Sequence, residues 1–341
     1  MRRELVSRYS NHKSVLVLSK KIQPKKSIVY DTYWKFAAER QSIFFKRFNG
    51  ECYPWTADVI LDQYKFTNAY RVVDRVSQYL IKNVIYRGSQ KPEEVFFRLI
   101  LFKIFNRIST WEYLEAEVGE ISFKDYSFKK YDNLLSELLT LKIPIYSAAY
   151  IMASGRSSFG YGRKHQNHLK LIELMIKDKL PDKLQRCRSM DEAYALLISY
   201  PTIGEFLAYQ YVTDINYSSL TSFTEMEFVK AGPGAKDGIL KCFKDFGGYT
   251  FEDIIRMMAD RQEIEFARLN LDFKNLWGRR LQLIDCQNIF CEADKYSRVA
   301  HPEISGYSHR TRIKQKFVVR EKEPINFYFP PKWGINNLII K

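Results

Sequence analysis

The chain has 341 residues, of which 46% are hydrophobic, and this is enough apolar material for one large core or two smaller ones. Lysine and arginine number 54 against 39 aspartate and glutamate residues, so the formal net charge is +15. Such an excess favours a polyanionic partner, most commonly nucleic acid, over charge that serves solubility alone. The five cysteines are odd in number and scattered, which argues against a disulfide framework, and no HExxH or paired CxxC motif indicates a zinc site.

No apolar run is long enough to span a membrane, and no secretory signal follows Met1. We therefore expect a cytoplasmic protein that associates with double-stranded DNA and does not contact a membrane. Neither a metal nor another cofactor is indicated, and no obligate protein partner is evident.

In chain order, residues 1–26 carry eight Lys or Arg and one acid, and form either a basic arm on a phosphate backbone or a solvated terminus. Residues 27–190 have apolar residues at helical spacing between turns, which predicts an N-terminal helical subdomain. Residues 191–300 predict a second helical subdomain, and residues 301–341 a basic C-terminal tail. The predicted fold is mainly α, with two helical subdomains and a cleft between them.

A helix–turn–helix pattern opens the second subdomain. A short apolar helix stops at Tyr200-Pro201, and a new helix begins at Glu205. Gly204 is expected to take the positive φ of the tight turn. The free N–H groups at the start of the second helix would bind phosphate, and the alternative is an ordinary helical corner.

The hairpin sequence Tyr-Pro-Thr-Ile-Gly resembles the Leu-Pro-Gly-Val-Gly hairpin of the helix-hairpin-helix DNA glycosylases. In that superfamily a catalytic carboxylate follows the hairpin, and the corresponding position is Thr224, with Glu225 and Glu227 beside it. The resemblance implies Glu225 as the catalytic residue, then Glu227, then Asp214. Alternatively, both glutamates fit a capping box that opens a helix.

A broader resemblance extends over residues 30–300. Several blocks resemble the α-glutamyl/putrescinyl-thymine pyrophosphorylases, with which the helical domain of 5-hydroxymethyluracil-DNA kinases is associated. The blocks are YWKF at 33–36, YKFTN at 64–68, FKIFN at 102–106, TDINY at 213–217, AGPGA at 231–235 and IDCQN at 284–288. The resemblance implies a glycosylase-like fold and action on hypermodified bases of phage DNA. No GxxxxGK[ST] kinase P-loop is present.

The first hypothesis from this resemblance is a monofunctional DNA glycosylase. It would flip out a modified pyrimidine of phage DNA and excise it, leaving an abasic site, in defence against phage. Glu205 and Phe206 stand where bifunctional members keep a Schiff-base lysine, so no lyase activity is expected. One alternative is a transferase that installs an amine or amino acid on an activated 5-hydroxymethyluracil, with Arg71, Arg75 and Arg107 as pyrophosphate ligands. Another is a DNA-binding module without chemistry.

Carboxylate and amide side chains are suited to reading a pyrimidine edge, because they supply paired donors and acceptors. The candidates are Asp285, Gln287, Asn288 and Asn216. Alternatively, these side chains cap or cross-link buried helices. The candidates for contacting the DNA backbone are Thr202, Ile203, Gly204, Glu205, Gly232, Gly234, Lys236, Lys241, Lys295 and Arg298.

Overall fold

The computed structural model describes residues 21–319 and 326–339, and within them the backbone is mainly helical, as predicted. The first helices are α1 (Ile28–Phe48), α2 (Val59–Gln63), α3 (Arg75–Tyr79), α4 (Pro92–Phe105), α5 (Ile108–Val118), α6 (Phe128–Thr140), α7 (Arg156–Phe159), α8 (Lys164–Lys177) and α9 (Leu180–Arg186). A π-helical turn (Leu80–Ile85) continues α3. The later helices are α10 (Met190–Ile198), α11 (Glu205–Ile215), α12 (Pro233–Cys242), α13 (Phe251–Arg268) and α14 (Leu283–Ala300).

Short elements complete the described part of the chain. Strands β1 (Lys25–Lys26) and β2 (Phe243–Asp245) pair antiparallel. The 3-10 turns are Arg71–Val73, Pro331–Trp333 and Asn336–Leu338.

The helix boundaries follow from local chemistry. Ser27 begins α1 by accepting a hydrogen bond from the backbone N–H of Val29, and Thr250 and Asp253 form a capping box at the start of α13. The sequence pattern predicts one helix over residues 93–111, but Asn106 adopts a left-handed conformation with φ of 48° and ends α4. Asparagine tolerates this conformation better than most residues, because its side chain bonds locally.

The long helix α1 is buried on most of its surface and packs against α12, α13 and α14. Tyr33 and Trp34 are fully buried in this contact, and Tyr33 lies against Phe290 of α14. The first helix of the predicted N-terminal subdomain therefore shares a core with the predicted C-terminal one. The division at residue 190 stays a prediction.

Helices α12 and α14 approach each other closely, because glycines of α12 face α14. A Cβ placed on Gly238 would lie 2.0 Å from the carbonyl oxygen of Phe290. A Cβ on Gly234 would lie 3.1 Å from the sulfur of Cys291. Gly234, the second residue of α12, therefore packs against α14.

Helices α10 and α11 form the predicted helix–turn–helix. The turn residue with positive φ is Thr202, at 70°, and the prediction that Gly204 takes this conformation is wrong. Gly204 is the N-cap of α11, with φ of −86° and ψ of 173°, which is the extended conformation that an N-cap residue requires. Gly204 and Glu205 are exposed.

The segment from 221 to 232 contains no helix, so neither Glu225 nor Glu227 opens one. The capping-box alternative for these glutamates is therefore wrong. Instead, the segment runs as extended chain with one turn, held at its start by the side chain of Asn216.

The ends of the described chain are tied to the helices. Residues 1–20 of the predicted basic arm lie outside the described residues, while Lys21 and Lys26 pair with Asp253 and Glu265 at 2.8 and 3.1 Å. The segment 326–339 packs on α1, with the ring of Phe327 at 5.2 Å from that of Phe44.

We predict that Gly238→Ala destabilises the protein by about 1–3 kcal/mol, because a methyl group has no space against backbone atoms of α14. Thermal unfolding should show the melting temperature falling by several degrees. Gly162→Ala is the matched control, since no atom lies within 4 Å of its Cβ position. Equal melting temperatures for the two variants would contradict the tight contact.

Candidate active site

The carboxylate of Asp214 lies at the inner end of α11 and is fully buried. The guanidinium of Arg71 donates to both of its oxygens, at 2.7 and 3.0 Å, and the Lys103 ammonium lies 3.0 Å from Oδ2. Burial alone would raise the pKa of Asp214, but Arg71 and Lys103 lower it below the usual value. Asp214 is therefore a buried anion with both oxygens held by cations.

Arg71 connects this ion pair to α14. Its backbone N–H donates to Oδ1 of Asp285 at 2.8 Å, and its Nη1 donates to the hydroxyl of Tyr217 at 3.2 Å. Its Nε is buried and has no hydrogen-bond partner among the described residues. Arg71 thus touches two of the predicted carboxylates, one through its side chain and one through its backbone.

Asp285 is a candidate proton carrier. It stands in the first turn of α14, where its Oδ2 accepts the backbone N–H of Gln282 at 3.0 Å. Burial raises the pKa of Asp285 to about 7, although the two backbone donors and Arg279 lower it. The nearby charge of Glu225 raises this pKa further. Asp285 therefore changes protonation near neutral pH.

Glu225 is the second buried carboxylate of the site, with a relative exposure of 8%. Its Oε1 lies 2.8 Å from Nη2 of Arg279, whose guanidinium lies 3.7 Å from the ring centre of Trp333. Burial raises the pKa of Glu225, while Arg279 lowers it. Glu227, by contrast, has an exposed side chain, and its carbonyl accepts a hydrogen bond from Arg256.

The segment 326–339 contributes a fourth cation. The Lys332 ammonium donates to the carbonyl oxygens of Ser218 and Thr221, at 3.0 and 2.6 Å. Burial lowers the pKa of Lys332 to about 8, with Glu225 raising it and Arg279 lowering it. The site therefore includes Arg71, Lys103, Arg279 and Lys332 beside Asp214, Glu225 and Asp285.

Aromatic rings lie around these charges. Tyr150 stacks on Phe206 with ring centres 5.8 Å apart, and the Lys103 ammonium lies 4.7 Å from the Tyr150 ring centre. Tyr217 meets Trp333 edge to face at 5.7 Å. Such surfaces are suited to stacking on an extruded base.

The predicted base-reading residues have different environments. The amide of Asn216 is occupied by the 221–232 segment, because Oδ1 accepts from Thr221 and Phe223 and Nδ2 donates to the Phe223 carbonyl. Gln287 is 1% exposed; its Nε2 contacts the sulfur of Cys291, and its Oε1 has no partner among the described residues. Asn288 follows it and is half-buried. Asn216 thus positions the loop, whereas Gln287 keeps a free acceptor.

The predicted hairpin contacts are partly accessible. Gly204 and Glu205 are exposed, whereas Ile203 is buried and anchors the turn. A Cβ on Gly155 would lie 3.1 Å from Cγ2 of Thr202, so the glycine-rich loop 154–164 packs beside the hairpin. Within residues 154–164, Arg156 begins α7 and Arg163 precedes α8, and both are exposed. The predicted contacts did not include them, although the loop composition of glycine, serine and arginine was a signal.

Of the other predicted backbone contacts, Lys236 is exposed. Lys241 is 2% exposed, and its ammonium pairs with Asp294 at 3.0 Å, so it belongs to the interior between α12 and α14. Lys295 pairs with Glu292 at 3.3 Å, and Arg298 pairs with Asp294. Gly232 is buried below the ring of Phe206. An interface with DNA is therefore better argued from Lys236 than from Lys241.

The three arginines predicted as pyrophosphate ligands of a transferase also differ in their location. Arg71 is at the centre of the site, Arg75 is exposed, and Arg107 donates to the hydroxyl of Ser109 at the start of α5. In residues 21–319 and 326–339, no three His, Cys, Asp or Glu side chains are grouped as metal ligands. Nor is any helix in those residues long and apolar enough to cross a bilayer.

The fold and site thus define a helical protein with a buried polar centre that combines carboxylates, cations and aromatic rings. Residues 27–306 match the family described as the helical domain of 5-hmdU DNA kinase, and the chain belongs to this family. The chain is 27% identical over 331 residues to the 5-hmdU DNA kinase of Bacillus phage SP10, covering 91% of this chain and 51% of that protein. It therefore spans about half the length of this relative. No solved structure matches the chain.

We predict that Asp214→Asn costs about 3–5 kcal/mol of stability, because it leaves Arg71 and Lys103 buried without a counter-charge. Urea unfolding measures the loss, and Glu227→Gln, on the exposed turn, should stay within about 0.5 kcal/mol of the parent protein. A neutral Asp214→Asn would contradict the buried ion pair.

A second prediction concerns pH. Since burial raises the pKa of Asp285 above its unfolded value, the folded state holds a proton that the unfolded state releases, and stability falls as pH rises from about 4 to 7. Asp285→Asn removes this loss, which is on the order of 3 kcal/mol. Melting temperatures across this range should therefore fall more steeply in the parent protein. Asp74, with a pKa of about 6, titrates in both proteins, so its contribution cancels when the two curves are compared. Parallel curves would contradict the assignment.

Proposed function

We propose that this protein is a monofunctional DNA glycosylase that excises a modified pyrimidine. The observation that carries the proposal is the convergence of Asp214, Glu225 and Asp285 around Arg71 and Arg279. These residues are far apart in the chain and meet at the inner end of α11, whose outer end is the exposed hairpin. A site for a base and a site for phosphate thus share one helix.

The substrate class is argued from the relative. Its name describes a kinase that acts on DNA containing 5-hydroxymethyldeoxyuridine. We extend this to a 5-substituted pyrimidine of phage DNA as the substrate here, with defence against such phage as the biological role. A base inside a duplex cannot reach a buried site, so it must be extruded from the stack.

The proposed DNA contact is the N-terminus of α11. The backbone N–H groups after Gly204 have no partner within their helix and, with the helix dipole, favour a phosphate. Arg156 and Arg163 lie in the adjacent segment 154–164, and Lys236 is exposed near the start of α12. A net charge of +15 supports association with the DNA backbone. This arrangement supports a helix-hairpin-helix fold with the extruded base held in a cleft.

Glu225 is our choice for the catalytic carboxylate. Asp214 has both oxygens held by Arg71 and Lys103, which leaves it poorly suited to accept a proton. Glu225 pairs with Arg279 through Oε1 alone, and burial raises its pKa, which makes it a better base. It would stabilise the oxocarbenium-like sugar and accept a proton from water.

The reaction balances as a hydrolysis. The water oxygen forms a bond to C1′, the bond from C1′ to the base nitrogen breaks, and its electron pair leaves with the base. Glu225 takes one proton from the water, and Asp285, with a pKa of about 7, is a suitable donor of one proton to the departing base. Loss of the proton from Glu225 to solvent and uptake of one by Asp285 then restore both carboxyl groups. No lysine follows the hairpin, so the abasic strand is expected to remain intact.

A transferase on an activated 5-hydroxymethyluracil is the second candidate, and one observation favours it. The site holds four cations, Arg71, Lys103, Arg279 and Lys332, against three carboxylates. Surplus positive charge would stabilise a departing pyrophosphate. The glycosylase is preferred because Arg71, Lys103 and Arg279 are each paired with a carboxylate.

We predict that the protein releases a free modified base from phage DNA and that Glu225→Gln slows this release at least about 100-fold. The DNAs to compare carry plain, hydroxymethylated, glucosylated and amine-hypermodified pyrimidines. Mass spectrometry measures the free base, and alkaline cleavage counts the abasic sites. Glu227→Gln is the control and should keep the parent rate.

Two outcomes would overturn the glycosylase. Intact DNA with a changed nucleoside mass, seen when amines are supplied, would establish the transferase. Binding of modified DNA with neither product, in the parent protein and in both variants, would leave a module that binds without chemistry.

A further inference from the structure

Gln210 lies on α11 and is 1% exposed, and neither its Oε1 nor its Nε2 has a hydrogen-bond partner in the described part of the chain. Across residues 21–319 and 326–339, no other side chain has both polar atoms buried in this way. A buried donor or acceptor without a hydrogen bond is unfavourable, because it has lost its hydrogen bonds to water. A buried amide of this kind is suited to bind a ligand that supplies both a donor and an acceptor.

The position of Gln210 follows from its neighbours along α11. Phe206, Gln210 and Asp214 are spaced by four residues and share one face of the helix. At one end of that face, Asp214 binds Arg71, which in turn binds Asp285. At the other end, Phe206 lies against Gly232.

Gly232 connects this face to α14. A Cβ on Gly232 would lie 2.8 Å from Phe206 and 3.4 Å from Nε2 of Gln287. Gln210 therefore lies between the charged centre and Gln287, about 7.5 Å along the axis from the exposed start of α11. Gln210 is therefore deeper in the protein than the proposed phosphate contact at the start of α11.

Resting on the function proposed above, we propose that Gln210 reads the hydrogen-bonding edge of an extruded 5-hydroxymethyluracil. Its amide oxygen would accept from N3–H of the base, and its NH2 would donate to O4, in a bidentate contact. Arg71 Nε is a further unpartnered donor, for O2, and Gln287 Oε1 a further unpartnered acceptor, for the hydroxymethyl group. The unpartnered groups thus correspond to the acceptors and donors of this base.

A structural role for Gln210 predicts a different response to mutation. Methionine is close in shape and removes both polar atoms, so Gln210→Met should leave the melting temperature unchanged or higher. The same change should remove the contacts to the base and weaken its recognition. If Gln210 only filled the core, its substitution would not weaken base recognition while leaving the melting temperature unchanged.

The experiment measures binding of the full chain to duplex oligonucleotides by fluorescence anisotropy. Each duplex contains a single 5-hydroxymethyluracil, thymine or 5-hydroxymethylcytosine. Glu225→Gln is the background, so that the base stays attached during the titration. We expect tightest binding to 5-hydroxymethyluracil, and Gln210→Met should weaken it roughly tenfold. Binding to thymine should be weaker in both proteins, because thymine lacks the hydroxyl group that Gln287 would contact. The base preference that Gln210→Met should remove is therefore the preference for 5-hydroxymethyluracil over 5-hydroxymethylcytosine, which differ at the N3 and C4 positions that Gln210 would contact.

Gln262→Met is the matched control, because the amide of Gln262 is equally buried but fully bonded. Its Nε2 donates to the carbonyls of Ala259 and Leu281, and its Oε1 accepts from the Leu281 N–H. We expect this variant to melt at a lower temperature and to keep the base preference.

The proposal is overturned if Gln210→Met keeps the base preference, or if binding falls only together with the melting temperature. A preference for the cytosine duplex, or none among the three, also overturns it. The proposed function fails separately: if the parent protein releases no base while Gln210→Met still removes the preference, the reading role stands without excision. Equal release by the parent protein and Gln210→Met would reject the reading role and leave the excision.

Discussion

The ion pair of Asp214 with Arg71 and Lys103 is the interaction on which the rest of the site depends. A carboxylate without a compensating charge would be strongly unfavourable in this core, and so would either cation. Each partner comes from a different element, so the pair holds α11, α4 and the 71–73 turn in one arrangement. Arg71 then reaches α14 through its backbone N–H. The charge requirement thus also places Asp285, whereas Glu225 is held separately by Arg279.

Much of the helical architecture could be predicted from local signals. Ser27, Asp58 and Thr250 cap the helices that they precede, and the turn at Pro201 separates α10 from α11 as expected. The exceptions have local causes that sequence periodicity does not contain. Asn106 breaks an apolar run by adopting a left-handed conformation, and Thr202 takes the positive φ in place of the nearby glycine.

Within the candidate site, the sequence indicated the carboxylates, Arg71 and Gln287, but not the other members. Residue type identifies a carboxylate as a chemical candidate, but its burial and its ion-pair partner depend on the tertiary fold. Glu225 and Glu227 are therefore equivalent in the sequence, although Glu225 is buried beside Arg279 and Glu227 is exposed. Lys103 and Gln210 read as ordinary members of amphipathic helices, and only their burial distinguishes them. Lys332 lies outside the residues that match the family, so no motif indicated it.

The distances along the chain between these partners have a consequence for folding. Arg71 meets Asp285 across 214 positions, and Lys332 meets Ser218 across 114. Contacts of such long range form late, because closing large loops costs entropy before any charge is neutralised. Partly folded chains would expose the cations and carboxylates to water without assembling them. The buried ion pairs should therefore assemble in step with global folding, so that the intact polar centre is a property of fully native molecules.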